Sequence, residues 1–319
     1  MALLAVIGVT AAVTLSVAGD DDGNGSTTTP TASGNTSEIA SADDKGPVTV
    51  ITEDPSCAPA RPILETRAAT QRNGWIQRDP SIPATAWTPE VRAQYEAVQQ
   101  SMRGSADQLV PIAKLTPHRV MRELYEQLIA YSRAYADSIP SYTAPDDNLA
   151  LASVAAASAV TYVCSAITYG SAPARGPLVP ALPAPSSVSP LGDPSHPKQF
   201  LTEPNSVCSD WDTAWTQFQK DTAAWRETPA DIPGSEWTPA QRATNDEVVP
   251  VMRRFASELQ TLGGRSDNPT LRDFADLSAQ YHRAYAQALP TYTPADNYLA
   301  TAALNSAGVV QAACLAAKE

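Results

Sequence analysis

One segment of this chain occurs twice at a fixed spacing. Tyr131-Ser132-Arg133-Ala134-Tyr135-Ala136 returns as Tyr281-His282-Arg283-Ala284-Tyr285-Ala286, and Pro140, Tyr142, Thr143 and Asp146 return as Pro290, Tyr292, Thr293 and Asp296, each 150 residues later. An internal duplication constrains folding strongly. Both copies must satisfy the same pattern of buried faces and turns, and the residues between them become a connector. The copies open at Ile51-Thr52-Glu53 and Leu201-Thr202-Glu203.

Within each copy the apolar spacing is helical. Trp211, Trp215, Phe218, Thr222 and Trp225 fall on one stripe, as do Leu64, Ala68, Gln71 and Trp75 in the first copy. Such a stripe reads as bundle core rather than as a ligand box. Thr88-Pro89 and Thr238-Pro239 place a capping hydroxyl before a proline at the first helical position, and Gln241 completes a capping box. A third helix is expected from Thr116-Pro117 and Asn268-Pro269, ended by Pro140 and Pro290. Thr143 and Thr293 then cap a fourth, rich in Ala and Ser, in which Asp146 and Asp296 suit the helix dipole. The first copy of this helix is uncharged enough to resemble a membrane span, but Asn305 and Gln311 favour a helix buried in protein for both copies. The expected fold is all-α: two tandem four-helix bundles related by internal duplication, over 51–169 and 200–319.

Four cysteines allow three pairings. Cys57 and Cys164 flank the first copy, Cys208 and Cys314 the second. Duplication favours pairing within each copy. So does an up-down-up-down bundle, in which the start of helix one meets the end of helix four. Paired cysteines imply an oxidising location.

Outside the copies the chain changes character. Residues 1–18 are uncharged and read as an apolar helix, either a membrane anchor or a signal segment cleaved after Ser16-Val17-Ala18. Residues 19–50 are poor in large apolar side chains and are expected to form a disordered tether. Residues 170–199 are Pro-rich and are expected to form an extended, semi-rigid linker. The formal charge of −12 argues against nucleic acid, whose phosphates need clustered Lys and Arg.

No motif in the chain carries chemistry. His118, His196 and His282 do not recur between copies, and HExxH, a Walker loop, a dinucleotide turn, a nucleophile elbow and CxxC are absent. The sequence therefore points to no enzyme, no metal site and no cofactor. The remaining candidates are the duplicated Tyr and Arg residues. Tyr131 and Tyr135 face the core, whereas Arg122 with Arg133, and Arg272 with Arg283, are expected on an outer helix face, where they could meet an acidic partner or a lipid phosphate. Pairing with nearby acids such as Glu126 is the plainer alternative. Tyr142 and Tyr292 complete the set.

The tether, the duplicated Cys-framed helical ectodomain and the Ala/Thr/Asp/Pro-rich composition resemble actinobacterial, mycobacterial-type cell-envelope proteins of unknown function. The resemblance implies a membrane-tethered or secreted extracytoplasmic module. Two roles are open: an interaction or scaffold module binding an envelope protein or lipid, or a lipid or small-ligand binder with an aromatic pocket inside the bundles. A ligand-sized cavity would favour the second; a tightly packed interior with an exposed apolar patch would favour the first.

Overall fold

The computed structural model describes residues 39–317. The N-terminal apolar segment and residues 19–38 of the expected tether lie outside the described residues. The described chain contains helices and turns and no strand. The elements are α1 (Cys57–Arg72), α2 (Pro89–Ala113), α3 (Arg119–Ser138), α4 (Asp147–Thr168), the short α5 (Ser171–Arg175), α6 (Cys208–Asp221), the short α7 (Ala223–Arg226), α8 (Pro239–Arg265), α9 (Pro269–Ala288) and α10 (Asn297–Ala316).

The local signals act largely as their chemistry dictates. Thr88 Oγ1 accepts from the Val91 amide at 3.3 Å, and Thr238 and Gln241 form the reciprocal capping box. Asp146 and Asp296 reach back to the amides of Thr143 and Thr293 at 2.7 and 2.8 Å. Two expectations shift. Thr116 does not cap α3. Its hydroxyl serves the Asp54 carboxylate, and the helix begins at Arg119. The first-helix stripe also breaks before its last tryptophan. α1 ends at Arg72, and Gly74, at φ +91°, turns the chain so that Trp75 lies in a separate 3-10 turn. In the second half the break is at Thr222, and Trp225 lies on α7.

In the first half α1 packs on α2 and α4, and α3 lies between α2 and α4; α6, α8, α9 and α10 repeat this pattern. Disulfides Cys57–Cys164 and Cys208–Cys314 join the first and last long helix of each half, with Cα separations of 5.3 and 5.5 Å. The halves are not the separate bundles expected from the sequence. α4 packs along α10, α3 touches α9, and one apolar core runs from Val48 to Ala317 through both halves. The Ala- and Ser-rich fourth helices explain this, because small side chains let two helices approach closely and pack along each other. Both are long and apolar enough to cross a membrane, by length and composition alone.

The segments before α1 and α6 tie the halves together. Each crosses to the opposite half. Tyr281 Oη lies within hydrogen-bond distance of both the amide and the carbonyl of Ile51, at 3.3 and 3.4 Å, while Tyr131 Oη donates to the Leu201 carbonyl at 3.5 Å. These pairs are equivalent by the 150-residue offset, so the exchange is reciprocal. It also corrects the tether boundary: Val48, Val50 and Ser41 are buried, and Ala40 donates to the Lys114 carbonyl at 3.0 Å. Apolar residues at 48, 50 and 51, with a core to enter, outweigh the polar composition around them.

Candidate functional site

The arginines expected on an outer face are covered. Arg122 is buried, with its Nε donating to Ser41 Oγ at 3.0 Å and Nη1 to Glu126 at 2.7 Å. Arg133 donates to Asp107 at 2.7 Å and to the Ser195 carbonyl at 2.6 Å. Arg272 is held by Ser186 and Ser187, and Arg283 by Gln260. The Pro-rich stretch is therefore no free spacer, since it folds back across α3 and α9 and supplies Ser195 to Arg133 and Ser186 and Ser187 to Arg272. An exposed arginine pair for an acidic protein or a phosphate does not form, and the plainer reading of internal pairing describes these residues. Tyr142 and Tyr292 are also buried, donating to the carbonyls of Pro80 and Ala230 at 2.9 and 2.6 Å.

The feature with the geometry of a site is a cavity of about 190 Å³ in the second half. Its walls come from α6 and α7 (Trp215, Trp225, Arg226), the loop before α8 (Trp237), α8 (Asn245), the α9 end (Tyr285, Tyr292) and the length of α10 from Asn297 to Leu315, with Leu151 to Ala155 of α4 closing one side. The lining is mainly apolar and aromatic. Its polar atoms include acceptors without donors. Gln311 is buried, with Nε2 donating to Asp212 at 2.6 Å and Oε1 unpartnered. Asn245 Nδ2 donates to the Gln241 carbonyl at 2.9 Å, leaving Oδ1 as a further acceptor.

The duplication supplies an internal reference for this cavity. The frame around it is the same in both halves. Trp75 Nε1 donates to Tyr135 Oη at 3.2 Å, as Trp225 does to Tyr285 at 3.1 Å; Trp87 Nε1 donates to the Ile82 carbonyl at 2.9 Å, as Trp237 does to Ile232 at 3.0 Å. What differs is the filling. Tyr95 stacks on Trp87 at 3.9 Å and lies 5.1 Å from Tyr142, whereas its counterpart is Asn245. Arg78 lies over the Trp75 ring at 3.5 Å and pairs with Asp147; Thr228 and Asn297 stand in their places. Tyr162, stacked with Tyr298 at 6.3 Å, corresponds to Ala312 on the cavity wall. Smaller or uncharged residues at these positions leave the second half open where the first is filled.

The halves also differ at their centres. Arg67 is fully buried with no carboxylate partner, donating to Ser105, Ser132 and Ser153 at 3.3, 2.8 and 2.5 Å. Burial pushes its guanidinium down to about 10. Allowing for the residue inserted before Cys208, its counterpart is Phe218, which stacks on Phe255 at 4.1 Å with His282 edge-on at 5.3 Å to both rings. Burial pushes His282 down to about 4, so the ring is neutral at physiological pH; its Nδ1–H donates to the Ser278 carbonyl at 2.9 Å. Between the halves, Arg119 grips Asp273 through Nε and Nη2 at 2.6 and 3.2 Å, beside the buried Glu123. Burial, reinforced by the Asp273 charge, pushes Glu123 well above the ordinary carboxylate range. Among the described residues no group of three or more His, Cys, Asp or Glu is placed to hold a metal.

Sequence reasoning allowed an aromatic pocket inside the bundles but did not place it, because it weighed what recurs between the copies. The signal lay in what fails to recur: a loss of side-chain volume at offset 150, Tyr95 to Asn245 and Tyr162 to Ala312, within a conserved ring of Trp and Tyr.

Comparison with known proteins agrees with the mycobacterial resemblance. An uncharacterized protein of Mycolicibacterium smegmatis (strain MKD8) is 55% identical over 325 residues, which cover all of this chain and 85% of that protein. No solved structure matches. A family model described as mycobacterial ESX-1 associated protein matches residues 39–318, and the chain belongs to that family.

Proposed function

We propose that this protein is a non-enzymatic, extracytoplasmic binding module working in the context of the ESX-1 secretion system. Its two duplicated four-helix units share one apolar core, and it takes a small apolar ligand in the cavity of its second half. The cavity carries this reading. It is lined by aromatic rings, contains unpaired acceptors and lies in a frame whose twin is filled. Family membership supplies the secretion context. The two disulfides support placement outside the cytoplasm, and residues 1–38 are the segment that would tether the module to the membrane or be removed on export.

At about 190 Å³ the cavity exceeds the ~150 Å³ of an engineered apolar cavity that binds benzene, and falls short of the ~300–1,000 Å³ typical of drug-sized sites. It suits a small molecule or one apolar group of a larger one. Titrating the full chain with short-chain alcohols and simple aromatics tests this. Trp215, Trp225 and Trp237 line the site, so their fluorescence reports occupancy directly. Saturable binding that weakens at least tenfold in Ala312→Leu supports the reading. Lack of saturation with every probe refutes it.

A further inference from the structure

We infer that the cavity selects a planar aromatic ring bearing a hydrogen-bond donor, of the phenol or indole class, and that the ring takes the position Tyr95 occupies in the first half. This inference rests on the binding role proposed above and names its ligand class.

The first half shows what this frame accommodates. There, Trp87 and Tyr142 lie 5.4 Å apart, and the Tyr95 ring is set against both, nearly parallel to the indole at 27° and 3.9 Å. In the second half, Trp237 and Tyr292 lie 5.2 Å apart at the same 27–33° inclination, and both face the cavity. The slot beside Trp237 thus has walls that in the twin already hold a phenol ring. Asn245 supplies no ring to fill it.

The polar atoms add the second requirement. The Trp225 and Trp237 indole N–H groups are already donated to Tyr285 and Ile232, and the Tyr292 hydroxyl to Ala230. At the slot itself Asn245 Oδ1 is left as an acceptor, its amide nitrogen being used on the Gln241 carbonyl. An O–H or N–H on a ring held beside Trp237 is the group that would serve it. A purely aliphatic chain would satisfy neither the stacking face nor this acceptor.

Asn245→Tyr should return the second half to the filled state of the first. Because the same frame already holds a tyrosine there, the substitution is compatible with the fold; Asn245→Phe, a ring without the hydroxyl, provides a second block at the same position. The test is calorimetric titration of the full chain with phenol, indole, cyclohexanol and 1-hexanol, with near-UV circular dichroism confirming the fold of each variant. Phenol should bind about threefold to tenfold more tightly than cyclohexanol, the worth of one aromatic pair. Both Asn245→Tyr and Asn245→Phe should lose phenol binding by tenfold or more. Cyclohexanol or hexanol binding as tightly as phenol would overturn the ring preference while leaving the cavity's binding role intact. Phenol binding unchanged in both folded variants would overturn the placement beside Trp237. Failure of all four probes to bind would remove the binding role itself.

Discussion

Replacing Arg67 with methionine should stabilise the protein. The guanidinium is buried against three serine hydroxyls and has no carboxylate to balance its charge. Lowering its pKa from the ordinary guanidinium value to about 10, at about 1.4 kcal/mol for each tenfold, corresponds to a native-state penalty of about 3 kcal/mol at neutral pH. The sign follows from the protons bound. Above about pH 10 the unfolded side chain is still protonated and the buried one is not, so the penalty is relieved only there and is present in full at pH 7. Methionine approximates the shape of the stem without the charge. The serines remain satisfied: Ser105 donates to the Met102 carbonyl at 3.1 Å, Ser132 to Leu128 at 2.5 Å, and Ser153 lies 2.8 Å from Ser132. Exchanging buried charge for apolar volume is commonly neutral to stabilising by about 1–4 kcal/mol. Allowing for the charge-assisted hydrogen bonds lost, Arg67→Met should gain about 1–2 kcal/mol. The second half holds a Phe218–Phe255 stack at this place, which shows that the frame tolerates an apolar centre. Urea unfolding with disulfides intact, at pH 7, measures the change. A loss of 2 kcal/mol or more would refute the reasoning and mean that the serine hydroxyls solvate the cation fully.

Three further outcomes follow from the buried groups and the bridges. His282, held at about 4 in the native state, leaves stability full above pH 6.5 and lowers it as pH falls towards 4, by about 3 kcal/mol; His282→Phe should flatten that part of the stability profile relative to wild type. Glu123 has the opposite sign: its raised native pKa makes stability decline as pH rises past the ordinary value of 4.5, and Glu123→Gln should abolish this component in denaturant titrations across pH 4–8. Removing Cys57–Cys164, whose cysteines are 107 residues apart, should cost about 4–5 kcal/mol in the chain-entropy model, measured by thermal or urea unfolding of the Cys57→Ala/Cys164→Ala variant.

The helices were largely legible in the sequence because their signals are local. Thr-Pro caps, the capping box at Gln241 and the 3.6-residue spacing each act within a few residues. The disulfides were legible because duplication and helix direction constrain them together. The long-range arrangement was not. Tyr131 carries the same apolar spacing whether its hydroxyl ends inside its own half or on Leu201 of the other, and periodicity does not distinguish the two. The arginines show the same limit. Arg122, expected on an outer face, is buried under Ser41, and the segments at 39–46 and 186–198 that cover Arg122, Arg133 and Arg272 have no periodic signal that would predict a resting place. The cavity is a difference between two tyrosines and their smaller counterparts, which an apolar period shared by both copies does not register.

Xenon tests the central claim most directly, because it enters empty apolar cavities without needing to resemble the natural ligand. In crystals of the full chain under xenon pressure, the account predicts one site beside Trp225 and Trp237, none between Trp75 and Trp87, and loss of the site in Asn245→Tyr. Xenon at equivalent positions in both halves, or at neither, would contradict it.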